Sequence, residues 1–332
     1  MAPGISVIIC CYNSATRLPE TLKHLAAQHC PELNWELLII DNASSDATSA
    51  EAPALWMQFG STVPMRVIPE PTAGLSHARN KGVAEARHEL ILFCDDDNHF
   101  ASDYLHRAYK ILEEKPEVGI LGGLSKPKLA FYPGKWIEDM YPAMAIGAIA
   151  PADGYVEWVY GAGMVLRKKI FKELKDKHIH FLLSDRKGNT QTFGGDAELC
   201  ELAKFLGYKI YYSSALSFFH YMQEHRLKKS FFLKGYTAIL PSVYLYQISE
   251  VVKHKNDSLQ ADDLYALMLK QKFQHVLHFL PRQFIGRHTF YSRLSFYQSW
   301  LLCLWLLRHK NTFSNIHSEV LQNLGVSSSN QT

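Results

Sequence analysis

The stretch HELILFCDDDNHF at residues 88–100 ends an apolar run on three consecutive carboxylates, Asp95, Asp96 and Asp97. The apolar part predicts a buried strand, because short aliphatic and aromatic runs are typical of strands that are covered on both faces. The triplet itself has two explanations. One is a polar turn in which an Asp caps the following helix. The other is a divalent cation, because residues i and i+2 of an extended segment point the same way and would bring Asp95 and Asp97 to one site.

The segments ahead of this stretch alternate between strand-like and helix-like patterns. Strands are predicted at 5–13, 35–42 and 65–70, and helices at 17–28 and 74–87. Strands separated by helices pair in parallel, and such sheets bind ligands at the carboxyl ends of their strands. Asp41 and the acidic triplet both lie at predicted strand ends. The sequence therefore predicts an α/β fold with a ligand site at that edge of the sheet.

Beyond Pro116 the pattern is less regular. Strands are predicted at 118–127, at 155–168 with a Gly-rich bend, and near YKIYY (208–212) and LSFFHYM (216–222), with a helix at about 195–206. After residue 227 the sequence becomes helical, aromatic and basic. We therefore divide the chain into an α/β unit, residues 1–227, and a helical C-terminal extension, residues 228–332.

The net charge of +3 is distributed unevenly along the chain. Residues 221–332 carry 13 Lys and Arg against six Asp and Glu. A basic region of this kind fits an anionic membrane surface, a nucleic acid or a solvated face. Within it, the stretch 272–310 alternates basic and aromatic residues, which is typical of helices at a membrane surface. A helix that packs its apolar face on the α/β unit or on a second subunit fits this pattern equally.

Three features of the sequence favour the cytoplasm. The six cysteines show no metal-binding or disulfide spacing, which is typical of a reducing compartment. MAPGISVIICCYN at 1–13 lacks a basic region followed by a long apolar run, so we predict no signal peptide. The longest charge-free apolar run near the C-terminus, 294–307, is shorter than the roughly 20 residues of a spanning helix. We expect a cytoplasmic protein, peripheral at most on the inner face of a membrane.

Six motifs follow one another along the first two thirds of the chain. They are SVIICCYNSATRLPETL at 6–22, LLIIDNASSDAT at 37–48, AGLSHARNKGV at 73–83, ILFCDDDNHF at 91–100, GAGMVLRKKIF at 161–171 and GGDAELC at 194–200. In this order they resemble the inverting family 2 glycosyltransferases with the nucleotide-diphospho-sugar (GT-A) fold, and the resemblance covers about residues 5–225. It implies a GT-A-type, Rossmann-like mixed sheet flanked by helices.

The resemblance also implies an activity. The expected reaction is metal-dependent transfer of a single hexose or N-acetylhexosamine from a nucleotide-diphospho-sugar, with a UDP-sugar as the expected donor. The expected acceptor is a hydroxyl of a glycan or of a lipid-linked molecule in cell-surface polysaccharide or glycolipid synthesis. Such a transfer needs a base for the acceptor hydroxyl and a counter-charge for the departing diphosphate.

Roles for particular residues follow from the same resemblance. It implies donor binding by Tyr12, Asp41, Arg79, Asp95 and Asp96, a Mn²⁺ or Mg²⁺ site at Asp95, Asp97 and His220, and acceptor-side contacts at Gly161, Gly163 and Met164. Asp196 is the implied catalytic base, at the start of a predicted helix whose positive end suits a carboxylate. Ordinary structural roles stay open for the same residues: a helix cap for Asp196, a packed side chain for His220 and a surface ion pair for Arg79.

The chain departs from the family's pattern in two places. Gly195 stands where the family more often has Glu, which removes one acceptor-side carboxylate. QEHRL at 223–227 resembles the Gln-x-x-Arg-Trp signature of processive polysaccharide synthases but has Leu227 in place of Trp. We therefore expect an enzyme that adds one sugar rather than a polymerase.

Other classes of protein also begin with alternating strands and helices. A dinucleotide-dependent oxidoreductase or a sugar-nucleotide pyrophosphorylase needs a Gly-rich turn directly after the first strand. CYNSATRLPE at 11–20 contains no glycine, which disfavours both. A non-catalytic nucleotide-binding module is a further alternative, but it has no need for both the acidic triplet and Asp196. We expect no nucleic-acid partner, and the sequence leaves the oligomeric state open.

Overall fold

A computed structural model describes residues 4–183, 194–235, 240–255, 259–284 and 289–326. Its strands are β1 (Gly4–Cys11), β2 (Asn34–Asp41), β3 (Met65–Pro69), β4 (Leu90–Cys94), β5 (Asn98–Phe100), β6 (Val118–Leu129), β7 (Gly154–Val156), β8 (Val165–Arg167) and β9 (Lys209–Met222). Its α-helices are α1 (Leu18–Ala26), α2 (Thr48–Gln58), α3 (Leu75–Glu85), α4 (Tyr104–Glu114), α5 (Lys169–Asp176), α6 (Gly195–Phe205), α7 (Lys229–Gly235), α8 (Leu240–Lys253), α9 (Ala261–Phe284), α10 (Phe290–Arg308) and α11 (Lys310–Leu324). Three short 3₁₀ helices are η1 (Lys135–Met140), η2 (Pro142–Met144) and η3 (Glu224–Leu227).

The described strands form one mixed sheet in the order β3-β2-β1-β4-β8-β6-β9-β5, with β7 on the edge of β9. The first four strands pair in parallel, as the alternation of strands and helices predicts. Strand β8 is antiparallel to both of its neighbours, β4 and β6. The carboxyl ends of β1, β2 and β4 therefore meet at one edge of the sheet, which is where ligands of such sheets bind.

Two sequence predictions of strands in the second half of the chain are wrong. The predicted strand at 155–168 is divided into β7 and β8. The loop between them contains Gly163, whose backbone has a φ of 72° that an extended strand does not allow. The two strands predicted at 208–212 and 216–222 are one strand, β9, with an irregularity in its register against β6. Long-range pairing with β6 holds this strand together across its polar middle.

Hydrophobic cores lie on both sides of the sheet. One side is covered by α1, α2 and α4, which pack Leu22, Trp56 and Leu105 against the apolar side chains of β1 and β2. The other side is covered by α3, α5 and α6. Helices α8 and α11 of the C-terminal extension belong to this second core, because buried side chains of both helices join the cluster that contains Leu199 and Cys200 of α6. These side chains are Ile248, Val251, Val320, Leu321 and Leu324.

The described residues of the basic stretch 272–310 belong to α9, α10 and the start of α11, and α9 and α10 pack on each other. A smaller core joins Val243 of α8 to Met268 of α9, Leu302 of α10 and Phe313 of α11. The extension is thus a helical layer that packs on the α/β unit through α8, α10 and α11. Among the helices in the described ranges, none has both the length and the apolar character that crossing a bilayer requires.

We predict that the extension and the α/β unit unfold together. Leu324→Ala removes a buried side chain from their shared core and should lower the free energy of unfolding by about 2–5 kcal/mol. Leu307→Ala is the matched control, because Leu307 is 63% exposed and its loss should change stability by less than about 0.5 kcal/mol. Denaturant unfolding followed by both tryptophan fluorescence and circular dichroism measures the effect. If the α/β unit of Leu324→Ala unfolds at the same denaturant concentration as in the wild type, and only the extension is destabilised, the prediction is contradicted.

Candidate active site

A cavity of about 530 Å³ opens at the carboxyl ends of β1 and β4. Its wall includes seven of the residues that the sequence predicts for a site, namely Tyr12, Arg79, Asp95, Asp96, Asp97, Asp196 and His220. The wall also includes Ala143, Met144 and Ala145, and Gln223, His225 and Arg226 from the segment after β9. Asp41, Gly161, Gly163 and Met164 are not among the described residues that line this cavity, although Ala162 is.

Asp95, Asp97 and His220 form a cluster in which one potential ligand atom of each lies within 4.8 Å of the others. Strand β4 ends at Cys94, and the backbone then turns, with the Asn98 N–H donating to the Asp95 carbonyl oxygen at 3.2 Å. The extended geometry that the sequence predicts for this segment is therefore wrong, although Asp95 and Asp97 do face one site. His220 reaches them because β5 pairs with β9 antiparallel, which places Asn98 opposite His220.

Asp97 carries the main charge interactions of this cluster. His220 Nε2 lies 3.1 Å from Asp97 Oδ1, and the Arg226 guanidinium lies 3.2 Å from Asp97 Oδ2. Burial by itself raises the pKa of Asp97, but His220 and Arg226 outweigh it and lower the pKa to about 2. At Asp95, burial raises the pKa and the Asp97 carboxylate adds to the effect. Two carboxylates this close together, one buried and one half-buried, favour a cation between them.

Asp96 points away from this cluster and anchors the turn. Its carboxylate forms an ion pair with Arg17 and accepts a hydrogen bond from the Ser14 hydroxyl. Its backbone carbonyl accepts from the Thr21 hydroxyl at 2.8 Å. Arg17 and Ser14 belong to the segment between β1 and α1, so Asp96 ties the end of β4 to the end of β1.

Asp196 lies in the first turn of α6, near the positive end of the helix, as the sequence predicts. Arg79 Nη1 donates to Asp196 Oδ1 at 2.7 Å, and the Gly161 N–H donates to Asp196 Oδ2 at 3.0 Å. A Cβ atom at Gly161 would lie 2.2 Å from the carboxyl group of Asp196. Gly161 is thus required for the close approach of its own backbone to this carboxylate.

Two other predicted acceptor-side residues lie behind the cavity wall. The Gly163 carbonyl accepts a hydrogen bond of 2.6 Å from the Tyr104 hydroxyl, and Phe218 packs where a side chain at Gly163 would lie. The Met164 side chain is fully buried in the core beneath α6. Their positions support the loop that carries Gly161 and Ala162.

Two of the predicted donor-binding residues, Tyr12 and Asp41, lie at the carboxyl ends of β1 and β2. Tyr12 follows β1 and is 53% exposed, so its ring is open to a ligand at the rim. Asp41, the last residue of β2, accepts hydrogen bonds from the Ser49 hydroxyl and, at 3.2 Å, from the Ser44 N–H. Asn42 lines the cavity beside it and accepts from the Gly74 N–H at 2.7 Å. Asn42 therefore joins the end of β2 to the start of α3.

Sequence reasoning gave no role to Arg17, Asn42 or Arg226, which all line the cavity. Arg226 lies in QEHRL, a motif that indicated only whether the enzyme is processive. Arg17 lies in SVIICCYNSATRLPETL, a motif of the family resemblance that implied a role only for Tyr12. The unbalanced charge of the acidic triplet was the signal that basic partners for it had to exist elsewhere in the chain.

Comparison with known proteins identifies the class to which this fold and site belong. The sequence profile described as Glycosyl transferase family 2 matches residues 6–187, which is more than half of the chain. The chain belongs to this family.

Curated relatives resemble part of the chain. It is 29% identical to the uncharacterized glycosyltransferase YfnE of Bacillus subtilis over 134 residues, which are 40% of this chain and 33% of that protein. It is 25% identical to a poly(ribitol-phosphate) beta-glucosyltransferase of Bacillus spizizenii over 174 residues, which are 52% of this chain and 26% of the relative. The chain spans about a third of the length of the curated relatives that it matches.

A solved structure shares the fold over nearly the whole chain. The structure of S. aureus TarS 1-349 in complex with UDP-GlcNAc matches with a TM-score of 0.53 and 16% identity, covering 96% of this chain and 91% of that one. TarS 1-349 without that ligand gives a TM-score of 0.50. The prediction of a GT-A fold with a mixed sheet and a helical C-terminal extension is confirmed.

Proposed function

We propose that this glycosyltransferase transfers a single hexose or N-acetylhexosamine from a UDP-sugar, with inversion, to a hydroxyl of a glycan or lipid-linked acceptor. The proposal depends on one observation: a single cavity contains both an acidic cluster suited to a diphosphate-bound cation and a separate carboxylate, Asp196, suited to act as a base. These are the two groups that direct displacement of a nucleoside diphosphate requires.

Asp95, Asp97 and His220 have the chemistry of a Mn²⁺ or Mg²⁺ site. Carboxylate oxygens are the ligands that these ions prefer, and His220 would add an imidazole, a common metal ligand in proteins. When bound there, the ion would offset the negative charge of the departing diphosphate. Arg226 and Arg17 line the same cavity and supply further positive charge for the phosphates.

Asp196 accepts the proton of the acceptor hydroxyl in the proposed reaction. The acceptor oxygen forms a bond to the anomeric carbon while the bond from that carbon to the diphosphate oxygen breaks on the opposite face. The electron pair of the broken bond leaves with the nucleoside diphosphate, and the configuration of the sugar inverts. The proton on Asp196 then passes to solvent, which restores the carboxylate.

The choice of donor and acceptor class draws on the similar proteins. A UDP-sugar is favoured because a protein of the same fold binds UDP-GlcNAc. Relatives are named for poly(ribitol-phosphate) and for cholesterol as sugar acceptors, so a polymer or a lipid at the cell surface is the acceptor class we propose. Leu227 in place of Trp in QEHRL favours the addition of one sugar over polymerisation.

We further propose that α10 places the enzyme on the cytoplasmic face of a membrane, near a lipid-linked acceptor. Tyr297, Trp300 and Leu307 are 46%, 45% and 63% exposed and share one face of this helix. Exposed Arg293 and Arg308 lie near its two ends. Aromatic side chains flanked by basic residues suit the interface of an anionic bilayer, where each basic residue contributes about 1 kcal/mol.

The cation site is tested by UDP binding. Asp97→Asn keeps the shape of the side chain and removes its charge, so the extra thermal stabilisation by UDP that depends on Mn²⁺ should disappear. Asp103→Asn is the matched control, because Asp103 is a half-exposed carboxylate that pairs with Arg107 at the start of α4, outside the cavity. At a UDP concentration of 100 times Kd, binding stabilises the wild type by about 2.7 kcal/mol. If Mn²⁺ increases the thermal stabilisation by UDP equally in the wild type and in Asp97→Asn, Asp97 is not a ligand of the metal.

The base is tested by Asp196→Asn. This variant should bind UDP with wild-type affinity and transfer sugar at least about 100-fold more slowly, because only general-base catalysis is lost. NMR of the wild-type product reports the anomeric configuration, which should be inverted relative to the donor. Turnover of Asp196→Asn close to wild type, or a product of retained configuration, is incompatible with the proposed reaction.

Membrane binding is tested by liposome flotation of the whole chain, because the extension shares a core with the α/β unit and cannot simply be deleted. The wild type should float with anionic vesicles at low salt and be released as salt is raised. Trp300→Ser combined with Leu307→Ser should abolish flotation. Met57→Ser, at an exposed apolar residue on α2, should leave it unchanged. A wild-type chain that stays with the soluble fraction at low salt contradicts the proposal.

A further inference from the structure

The carboxylate of Asp196 is held at both of its oxygens. Arg79 donates to Oδ1 at 2.7 Å and the Gly161 backbone donates to Oδ2 at 3.0 Å. Asp196 is the second residue of α6 and Gly194 occupies the cap position, so Asp196 does not stand where an Asp side chain caps a helix. The two donors come from α3 and from the loop before β8, both distant in sequence from Asp196. This carboxylate is therefore oriented by tertiary contacts.

Arg79 is itself held in place. Its side chain is only 12% exposed, and its guanidinium carbon lies 5.1 Å from the centroid of the Phe93 ring. Phe93 lies on β4, two residues ahead of Asp95. A guanidinium that stacks on an aromatic ring and binds a carboxylate loses most of its rotational freedom. Arg79 thus links the position of Asp196 to the strand that ends in the acidic cluster.

The second donor leaves little room for adjustment. A Cβ atom at residue 161 would lie 2.2 Å from Cγ, Oδ1 and Oδ2 of Asp196. Any side chain at this position would push the carboxylate out of its place. The loop therefore presents a bare backbone N–H to Asp196, and glycine is the residue that permits it.

We propose that Arg79 is a positioning residue for the catalytic base, and that Arg79 and the Gly161 N–H together hold the Asp196 carboxylate in its productive orientation. This inference rests on the proposed role of Asp196 as the base. A carboxylate offers about four acceptor positions, so two remain for the acceptor hydroxyl after both hydrogen bonds form. The position of a base matters because a displacement of about 1 Å can lower the rate about 100-fold.

Direct contact with the donor nucleotide is the other role open to Arg79, and the two roles differ in what they predict. A donor contact would weaken UDP binding when it is lost. A positioning residue would lower kcat while UDP binding stays unchanged, and its effect would vanish once the base is removed, because it acts only through Asp196.

The test is a double-mutant cycle in the full-length enzyme. Arg79→Met should lower kcat by about 10- to 100-fold with UDP affinity, measured by calorimetry, within about twofold of wild type. Arg79→Lys should recover part of this loss, because an ammonium can reach one carboxylate oxygen but does not stack as a guanidinium does. In an Asp196→Asn background, Arg79→Met should cause little further loss.

Two further variants sharpen the result. Gly161→Ala should reproduce the loss of kcat without weakening UDP binding, because it displaces the same carboxylate. Arg66→Met is the matched control, since Arg66 pairs with Glu36 and Glu85 outside the cavity and should leave the kcat of the folded enzyme unchanged.

The outcomes separate this inference from the proposed function. If Asp196→Asn turns over close to wild type, Asp196 is not the base and both proposals fail. If Asp196→Asn is inactive while Arg79→Met keeps wild-type kcat, or weakens UDP binding instead, only the positioning role is overturned. Losses that multiply in the double variant would also overturn it, because they would mean that Arg79 acts independently of Asp196.

Discussion

The buried acidic turn at residues 95–97 is the constraint on which the rest of the site depends. Three adjacent carboxylates at the end of a buried strand repel one another and lose hydration, so each needs a compensating partner. Arg17 forms an ion pair with Asp96, while His220 and Arg226 bind Asp97. These partners come from the loop after β1, from β9 and from η3. Compensating the charge of this turn thereby brings distant parts of the chain to one cavity.

The helices beyond residue 227 support this cavity from two sides. A side chain at Gly194 would collide with Leu183 and Leu245, so α8 lies directly against the turn that begins α6 and positions Asp196. Met144 also lines the cavity, and it packs in one cluster with Leu294 of α10. The C-terminal extension is thus part of the architecture of the site, although the family match ends at residue 187.

Local pattern predicted the first half of the fold well, because each of those strands is an apolar run bounded by polar turns and helices. It failed at 155–168 and 208–222, where strand limits depend on which neighbour offers hydrogen bonds. At the site, the i, i+2 spacing predicted Asp95 and Asp97, and the family resemblance predicted His220 and Asp196. All four line the cavity, but neither kind of prediction gave a role to Arg17 or Arg226. A single arginine in a loop contributes nothing to the periodicity that predicts helices and strands. Its role can be inferred only when the structure shows the carboxylate with which it pairs.

The sequence by itself determined the family, the α/β order of the first elements and the acidic residues that line the cavity, because these are carried by short motifs in a set order. Only the tertiary structure decided how those residues are combined. The turn after Cys94, the pairing of β5 with β9 and the contact between Arg79 and Asp196 all depend on register and packing. Residues 79 and 196 are 117 positions apart, so nothing local to either could show that one orients the other.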